Sequence, residues 1–202
     1  MKKKITESIT GQTPLPENWR GDLIPEHITW LSELNEFESQ NIEKALQKHL
    51  FGSSRINPCY PEHLNRVHQD MFDDVWKWAG KYRNLNLNIG CSKEMVPQNV
   101  KQLCDDLAFW IDNKTYAPQE IAIRFHHRLV SIHPYINGNG RHARIMADIL
   151  VKKLKAHELT WGKRNLSKEG PDRENYISSL QKADQGDYSD LIKFAGSALH
   201  QE

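Results

Sequence analysis

The 202-residue sequence has few cysteines and none in a CxxC spacing. Its three cysteines, Cys59, Cys91 and Cys104, are odd in number, which argues against a disulfide framework and a zinc knuckle. No hydrophobic run approaches the roughly 20 residues of a transmembrane helix. The basic start MKKKITESITGQ is not followed by the apolar segment of a signal peptide. We therefore expect a protein of the reducing cytoplasm without a membrane partner.

An excess of charge of one sign is also missing, because 27 Lys and Arg oppose 26 Asp and Glu. This balance argues against a domain that coats nucleic acid, so no direct nucleic-acid binding is expected. No internal repeat and no low-complexity tract occurs. No GK(S/T) follows a glycine-rich strand end, which excludes a P-loop ATPase. The length suits one domain with a substantial core.

The sequence does contain the stretch HPYINGNGRHAR, residues 133–144, between two apolar helical patterns. It is predicted to be a tight loop that joins two core helices. Gly138 and Gly140 would allow a sharp turn and close approach of a ligand. The second helix would begin near Gly140, so its free backbone N–H groups and positive dipole end would face the loop. The stretch therefore predicts an anion site suited to phosphate.

Three side chains around this loop add chemistry to the predicted anion site. Arg141 and Arg144 are three residues apart on the first helical turn and can form charge-assisted bonds with phosphate oxygens. His133 lies at the other lip of the loop, where its imidazole can take a proton. Each feature alone is more often structural or solvated. Their convergence on one loop favours a functional site.

The motif resembles the signature of the Fic/Doc family, HPFx(D/E)GNGRxxR, with Tyr135 in place of Phe and Asn137 in place of the acidic residue. Together with the stretches LIPEHITWLSELNEFE and HARIMADILV, it makes most of the chain resemble the Fic subfamily called mobile mystery protein B. The resemblance implies a mostly α fold, a Fic-type helical bundle with one small β-hairpin flap beside the active-site loop.

The resemblance also implies an activity, the transfer of AMP from ATP to a hydroxyl side chain of a protein. The target would present a Ser, Thr or Tyr hydroxyl, on another protein or on this one, and a partner protein could be encoded on the same mobile element. His133 would deprotonate the hydroxyl, and Asn137 would hold Mg²⁺ through its carbonyl oxygen. The phosphates would be cradled by Gly138, Asn139 and Gly140 and bound by Arg141 and Arg144.

Two other functions stay open at this point. A Doc-like protein kinase or toxin would move the γ-phosphate, but Doc-type motifs depart from the GNGR that this chain keeps. A catalytically weak nucleotide-binding module of a mobile element is favoured by the neutral Asn137. A histidine metal site is not expected, because the adjacent His126 and His127 would point in different directions on a helix and no HExxH occurs.

A strand is predicted at residues 84–89, where asparagines alternate with apolar residues. Met95 and Val96 would return as its short partner, forming a hairpin that leans on the helices. An exposed strand edge can pair with an extended peptide of loose sequence. In the Fic resemblance this hairpin is the flap that holds the target segment, and its candidate target-binding residues are Asn86, Leu87, Asn88 and Ile89.

An acidic helix is predicted at residues 29–50. Some Fic proteins carry a helix with an (S/T)xxxE(G/N) motif whose glutamate blocks the active site. Ser32-x-x-x-Glu36 is the preferred match, Glu33 is second and Glu38 third. The residues that follow the first two, Phe37 after Glu36 and Leu34 after Glu33, do not fit the second half of the motif. The inhibitory carboxylate is expected to reach Arg144 and compete with the γ-phosphate.

The chain is predicted to divide into an N-terminal arm and helix (1–55), a Fic core (56–160) and C-terminal helices that pack on the core (161–202). Residues 1–27 are expected to form an extended arm without much helix. Either Trp19, Leu23 and Ile24 pin it to the core, or much of it is mobile. A helix opening at Pro61 should run to Ala79. Further helices are predicted at 100–111, from 118 to the motif, and within 176–183 and 188–199.

Overall fold

The computed structural model describes residues 5, 15, 18–53, 55–161, 166 and 170–196. These residues form a helical structure, which confirms the predicted mostly α fold class. Most of the predicted arm before residue 18, and the predicted helix end at Leu199, lie outside the described residues. None of the described helices is both long and apolar enough to cross a bilayer.

The helices follow the predicted order, with different ends in several cases. They are α1 (Trp19–Asp22), α2 (Leu31–Leu46), α3 (Pro61–Phe72), α4 (Val96–Asp112), α5 (Pro118–Ile132), α6 (Asn139–Lys153), α7 (Pro171–Asp184) and α8 (Ser189–Gly196). A π-helical turn, Gln47–Phe51, extends α2, and a 3₁₀ turn, Lys93–Met95, leads into α4. Proline lies in the first turn of α3, α4, α5 and α7, where its missing N–H would have no intrahelical partner anyway.

Helices α5 and α6 form the centre of the fold and pack against each other. Helices α4, α7 and α8 cover α5, α3 covers α6, and α2 packs on the outer side of α3. The central pair buries side chains at helical spacing, such as Ile121, Phe125 and Leu129 on α5. The loop between α5 and α6 is therefore held by two of the most buried elements of the structure.

Helix α3 is shorter than predicted, because it ends at Phe72 and not at Ala79. Residues 73–80 form turns, and Trp76 pairs with Leu23 in an isolated antiparallel bridge. The backbone of this segment is thus bonded to the N-terminal part of the chain instead of continuing the helix. Leu23 is buried as predicted for an anchor of the arm, whereas Ile24 is 44% exposed.

The predicted hairpin does not form, because residues 84–92 contain no strand and Val96 begins α4 instead of a return strand. The alternation predicts the sides only in part. Leu85 and Leu87 are half-buried and Asn84, Asn86 and Asn88 are exposed, but Ile89, expected on the same side as the leucines, is 37% exposed. The loop closes instead through a side chain, since the Asn86 Oδ1 accepts the Lys93 N–H at 2.8 Å.

Helix α2 docks on α3 through a buried amide, that of Asn41. Its Nδ2 donates to the Asp70 carbonyl at 3.0 Å, and its Oδ1 accepts the Asp74 N–H at 3.0 Å. Both partners are backbone groups at the end of α3 and in the turn after it. The Asn41 side chain thus fixes the position of α2 relative to the end of α3 and the turn that follows it.

We predict that Asn41→Ala lowers the free energy of unfolding by about 1–3 kcal/mol, because both backbone groups lose a buried partner. Urea unfolding followed by circular dichroism measures this. The control is Ser39→Ala on the same helix. Ser39 is exposed and its hydroxyl bonds the Asn35 carbonyl of its own helix, so its change should stay within roughly 0.5 kcal/mol. Equal effects of the two changes would contradict the docking role of Asn41.

Candidate functional site

The loop of the motif begins at His133, which caps α5 in a left-handed conformation with φ 55° and ψ 60°. Its N–H still bonds the Leu129 carbonyl at 3.2 Å. A positive φ is uncommon in a residue other than glycine and persists only where the surroundings fix it. The conformation turns the chain sharply out of α5 and places the imidazole at the start of the loop.

The loop ends at Gly138, which caps α6 with φ +79°. A Cβ at this position would lie 2.5 Å from two atoms of the Phe72 ring, so both the backbone and the space require glycine. Helix α6 begins at Asn139, one residue before the predicted Gly140. The first N–H groups of a helix lack intrahelical partners, so this end of α6 can bind an anion.

The side chain of Asn139 closes the loop on itself. Its Oδ1 accepts the Tyr135 N–H and its Nδ2 donates to the Tyr135 carbonyl, both at 2.9 Å and both buried. The motif predicted Asn139 to cradle phosphate. Because the amide is engaged within the loop, the group that can serve a phosphate is the backbone N–H of Asn139 and not its side chain.

His68 supports the same loop from α3. Its Nδ1 accepts the Gly80 N–H at 3.0 Å, so its Nε2 carries the proton and donates to the Asn137 carbonyl at 3.1 Å. Its ring stacks on Tyr135 with 3.6 Å between centroids. Burial lowers the pKa of His68 well below its usual value, which keeps the ring neutral. His68 lies in the helix predicted to open at Pro61, and no local pattern of the sequence indicates its contact with the motif, 69 residues further along the chain.

The imidazole of His133 is suited to accept a proton at neutral pH. Burial lowers its pKa to about 4, and the positive charge of Arg83 acts in the same direction. A hydrogen bond with the Val130 backbone acts in the opposite direction. Because a carbonyl can only accept, this bond uses the ring N–H and leaves the second ring nitrogen as the acceptor of the neutral form.

A carboxylate from α2 meets the first arginine of the motif. The Glu38 Oε2 lies 2.6 Å from the Arg141 Nη1, and the Glu38 Oε1 accepts the Trp76 indole N–H at 2.8 Å. The Glu38 side chain is 6% exposed. The Arg141 guanidinium also lies over the Phe72 ring, 4.9 Å from its centroid. The guanidinium predicted to bind phosphate is thus held by a buried carboxylate.

The other two candidate inhibitory glutamates lie elsewhere. The preferred Glu36 is exposed on α2. Glu33 reaches back to the start of α2, where its Oε2 accepts the Thr29 and Trp30 N–H groups at 3.1 Å each. The expected partner also differs, because the glutamate at the motif, Glu38, pairs with Arg141 and not with Arg144.

The sequence carries a signal that would have found Glu38. It lies four residues after Leu34 and seven before Ala45, both buried, so it occupies the apolar face of α2. A carboxylate at such a position needs a partner inside the structure. The (S/T)xxxE pattern favours Glu36 instead, which lies on the opposite, solvated side of the helix.

The second arginine of the motif, Arg144, is held by the C-terminal helices. Its guanidinium lies 5.5 Å from the ring centroid of Tyr176 on α7 and hydrogen-bonds the Tyr176 hydroxyl. That hydroxyl is 2.9 Å from the Nε2 of the buried His126. Sequence reasoning missed this contact because Tyr176 is more than 30 residues from the motif. Helix α7 thus orients a guanidinium toward the start of α6.

Asn137 has a neutral oxygen that is already engaged, since its Oδ1 accepts the Gly138 N–H at 2.6 Å. No group of three or more His, Cys, Asp or Glu side chains suited to a metal ion occurs in the described ranges. An amide oxygen has a second lone pair and can still supply one ligand. The residues therefore fit a Mg²⁺ ion held mainly by substrate phosphates and water, the usual coordination of that ion.

The predicted target-binding residues lie in the loop that packs beside His133. A Cβ at Gly90, where φ is +100°, would be 2.7 Å from the Cβ of His133. Leu87 is half-buried, Ile89 is 37% exposed, and both asparagines, Asn86 and Asn88, are exposed. The structure thus places this loop directly against His133.

Residues 58–151 match the model of the Fic/DOC family. The protein adenylyltransferase fic-1 of Caenorhabditis briggsae is 29% identical over 127 residues, which cover 61% of this chain and 23% of that protein. The protein adenylyltransferase Fic of Nematostella vectensis is 27% identical over 119 residues, or 57% of this chain and 26% of that protein. The matched part of the chain thus spans about a quarter of each relative's length.

The fold is similar to that of a solved structure, the N-terminal Fic domain of a VirB-translocated Bep effector protein from Bartonella quintana with bound ADP. The TM-score is 0.67 at 14% identity, and the match covers 85% of this chain and 86% of that one. At this identity the similarity concerns the fold alone.

We predict that Glu38→Gln raises the affinity of the protein for ADP by about 5- to 150-fold, the range of a coupling of 1–3 kcal/mol. The change frees Arg141 from its ion pair, while the new amide oxygen can still accept the Trp76 N–H. Isothermal titration calorimetry measures the affinity, and Glu36→Gln serves as the control on the exposed face of α2.

Adding Arg141→Ala to Glu38→Gln should remove the gain, because the contested guanidinium is then absent. Equal ADP affinities of the wild type and the Glu38→Gln variant would contradict the competition between carboxylate and phosphate.

Proposed function

We propose, from the Fic/DOC family domain that this chain carries over residues 58–151, that the protein transfers AMP from ATP to a hydroxyl side chain of a protein. The observation that carries the proposal is the convergence on one loop of a neutral imidazole, a helix N-terminus and two guanidinium groups. The relatives named adenylyltransferases and the ADP of the Bartonella domain support the choice of nucleotide.

In this reaction the target hydroxyl oxygen attacks the α-phosphorus of ATP. His133 takes the hydroxyl proton, the bond from the α-phosphorus to its bridging oxygen breaks, and pyrophosphate leaves. The N–H groups of Asn139 and Gly140 and the two arginines would offset the charge of the phosphate chain, since phosphoryl-type transfer depends mainly on positioning and charge stabilisation. The Gly138 N–H is bonded to the Asn137 Oδ1, so Gly138 would contribute by letting the backbone turn beside the phosphates. Mg²⁺, when bound, would add positive charge to the phosphates, and the Asn137 oxygen would hold it.

We also propose that the protein is autoinhibited through Glu38. Its carboxylate holds Arg141 at 2.6 Å, at the position where the motif would bind phosphate. A nucleotide must therefore displace this carboxylate. The Glu38 side chain of this pair is almost completely shielded from water, and ion pairs in such surroundings are harder to break than exposed ones.

Finer assignments follow from the resemblance. We propose that the target presents a Ser, Thr or Tyr hydroxyl, on another chain or on this one, and that its segment lies against Asn86, Leu87, Asn88 and Ile89. We further propose that the chain belongs to the mobile mystery protein B subfamily, works in the cytoplasm and has a partner protein encoded on the same mobile element. The division at residues 55 and 160 stays part of this proposal.

The activity is tested with ATP labelled on the α- or the γ-phosphate, Mg²⁺ and cell lysate, using the Glu38→Gln variant so that inhibition does not hide the reaction. We predict protein-bound label from the α-phosphate. His133→Ala in the same background should reduce transfer by about a hundred-fold or more, the usual effect of losing a general base. The ADP affinity should stay within a few-fold, because the phosphate contacts come from other residues.

Label from the γ-phosphate would instead identify a kinase, and no label from either position would favour a nucleotide-binding module. Unchanged transfer by His133→Ala would remove the base from the proposal while leaving the activity standing.

We predict that Asn137→Asp lowers the Mg²⁺ concentration needed for half-maximal transfer, because a carboxylate is a stronger ligand for a hard cation than a neutral amide. Activity measured across a Mg²⁺ titration tests this. The matched control is Asn65→Asp, a change of the same kind at the partner of the Tyr135 hydroxyl. A higher Mg²⁺ requirement in Asn137→Asp would contradict the metal role.

A further inference from the structure

Arg83 lies before the loop of residues 84–92 and is 2% exposed. Its guanidinium donates from Nε to the His133 carbonyl at 2.7 Å and from Nη1 to the Leu85 carbonyl at 3.0 Å. Its Nη2 donates to the Cys91 carbonyl. Its backbone N–H donates to the Pro134 carbonyl at 2.9 Å. One residue thus binds the backbone of the base and both sides of the neighbouring loop.

A guanidinium group is planar and holds its donors in a fixed geometry, so three bonds from one group fix three carbonyls relative to one another. The arrangement is tightened by close packing, because Gly90 has no room for a side chain beside His133. The Cys91 thiol also lies 3.5 Å from the Ile132 carbonyl. The loop and the end of α5 therefore form one joined unit.

We propose that Arg83 is a positioning residue that aligns the left-handed backbone of His133 with the loop of residues 84–92, so that the base and the target-binding loop adopt their geometry together. This inference rests on the proposed function, which gives His133 its role as the base and the loop its role toward the target. Arg83 would act through these groups and would not touch the reacting atoms.

The nature of the partners separates this role from simple core packing. In the part of the chain that the structure describes, the Arg83 guanidinium meets carbonyl oxygens and the Cys91 sulfur, not a carboxylate. Burying a charge without a counter-charge is unfavourable, and an apolar side chain would fill the same space at lower cost. The Arg83 charge acts on the His133 ring, because it disfavours the protonated form of an imidazole that must be neutral to accept a proton.

The groups that act on the His133 ring are known from the structure. Burial lowers the pKa most, the Arg83 charge lowers it further, and the hydrogen bond from α5, at the Val130 backbone, raises it. The Cys91 thiol lies on the loop that follows Arg83 and bonds the backbone beside the base. Removing the Arg83 charge should therefore raise the pKa of His133, whereas replacing it with another cation should not.

The test compares Arg83→Gln with Arg83→Lys. The first change removes the charge, whereas the second keeps the charge and removes the planar guanidinium with its fixed donors. Both should lower kcat for AMP transfer by roughly a hundred-fold, the order expected when a reacting group is misplaced by about 1 Å. ADP affinity should stay within about twofold of the parent, since the phosphates bind elsewhere. All variants carry Glu38→Gln.

The matched control is Arg124→Gln. Arg124 is a half-buried arginine of α5 that bonds the Glu120 carboxylate and lies over the Tyr116 ring. It reports what the loss of a partly buried guanidinium does to stability and to kcat without contact with the base.

A second readout does not depend on transfer. The imidazole signal of His133, identified by its loss in His133→Gln, is titrated by NMR. We expect the pKa of His133 to be higher in Arg83→Gln than in the parent and unchanged in Arg83→Lys. The acidic limb of the kcat profile should move to higher pH in Arg83→Gln only, because the base must be deprotonated to act.

Folded Arg83 variants with the parent's kcat would overturn the inference. Losses of kcat matched by Arg124→Gln, without a change in the His133 titration, would reduce Arg83 to a structural residue and overturn it as well. If no variant transfers AMP, the proposed function fails, and the NMR titration still decides whether Arg83 sets the state of His133.

Discussion

The turn between α5 and α6 is held by the buried amide of Asn139, which bonds both the N–H and the carbonyl of Tyr135. These two bonds keep the left-handed His133 at one end of the loop and the first N–H groups of α6 at the other. Without them two backbone groups would be buried without partners, at about 1–3 kcal/mol each. His68 restrains the same loop from α3 through the Asn137 carbonyl. The geometry of the site thus depends on contacts inside the motif and on two residues outside it, His68 on α3 and Arg83.

The buried carboxylate of Glu38 ties the state of this loop to the docking of α2. A charge at that depth needs Arg141 and the Trp76 indole as partners, because an unpaired buried carboxylate is very unfavourable. In the proposed activity, a phosphate chain would compete with this carboxylate for the Arg141 guanidinium. The contacts that hold α2 on α3, such as those of Asn41, would in that proposal also oppose the release of Arg141.

Local patterns predicted the centre of the fold, because α5 and α6 each carry apolar residues at helical spacing and are separated by a motif with two glycines. They could not predict where α3 ends, since the bridge between Leu23 and Trp76 joins segments about 50 residues apart. The hairpin failed for a related reason: two carbonyls of the loop are taken by the side chain of Arg83, which no periodicity reveals. The (S/T)xxxE pattern favours Glu36 over Glu38, whereas the position of Glu38 on the buried face of α2 accounts for its contact with Arg141.

Release of Arg141 requires more than a change of side-chain rotamer. The Trp76 indole holds the second oxygen of Glu38, so the carboxylate cannot turn away from the guanidinium without losing another buried hydrogen bond. Trp76 is itself fixed by its bridge to Leu23. A shift of α2 relative to residues 73–80 would break both bonds of Glu38 in one step. A bound nucleotide would then offset part of the lost free energy by contacting Arg141. A short chain of contacts consequently couples the N-terminal segment, α2 and the motif. Two residues in contact in this chain, Glu38 and Arg141, are 103 residues apart in the sequence.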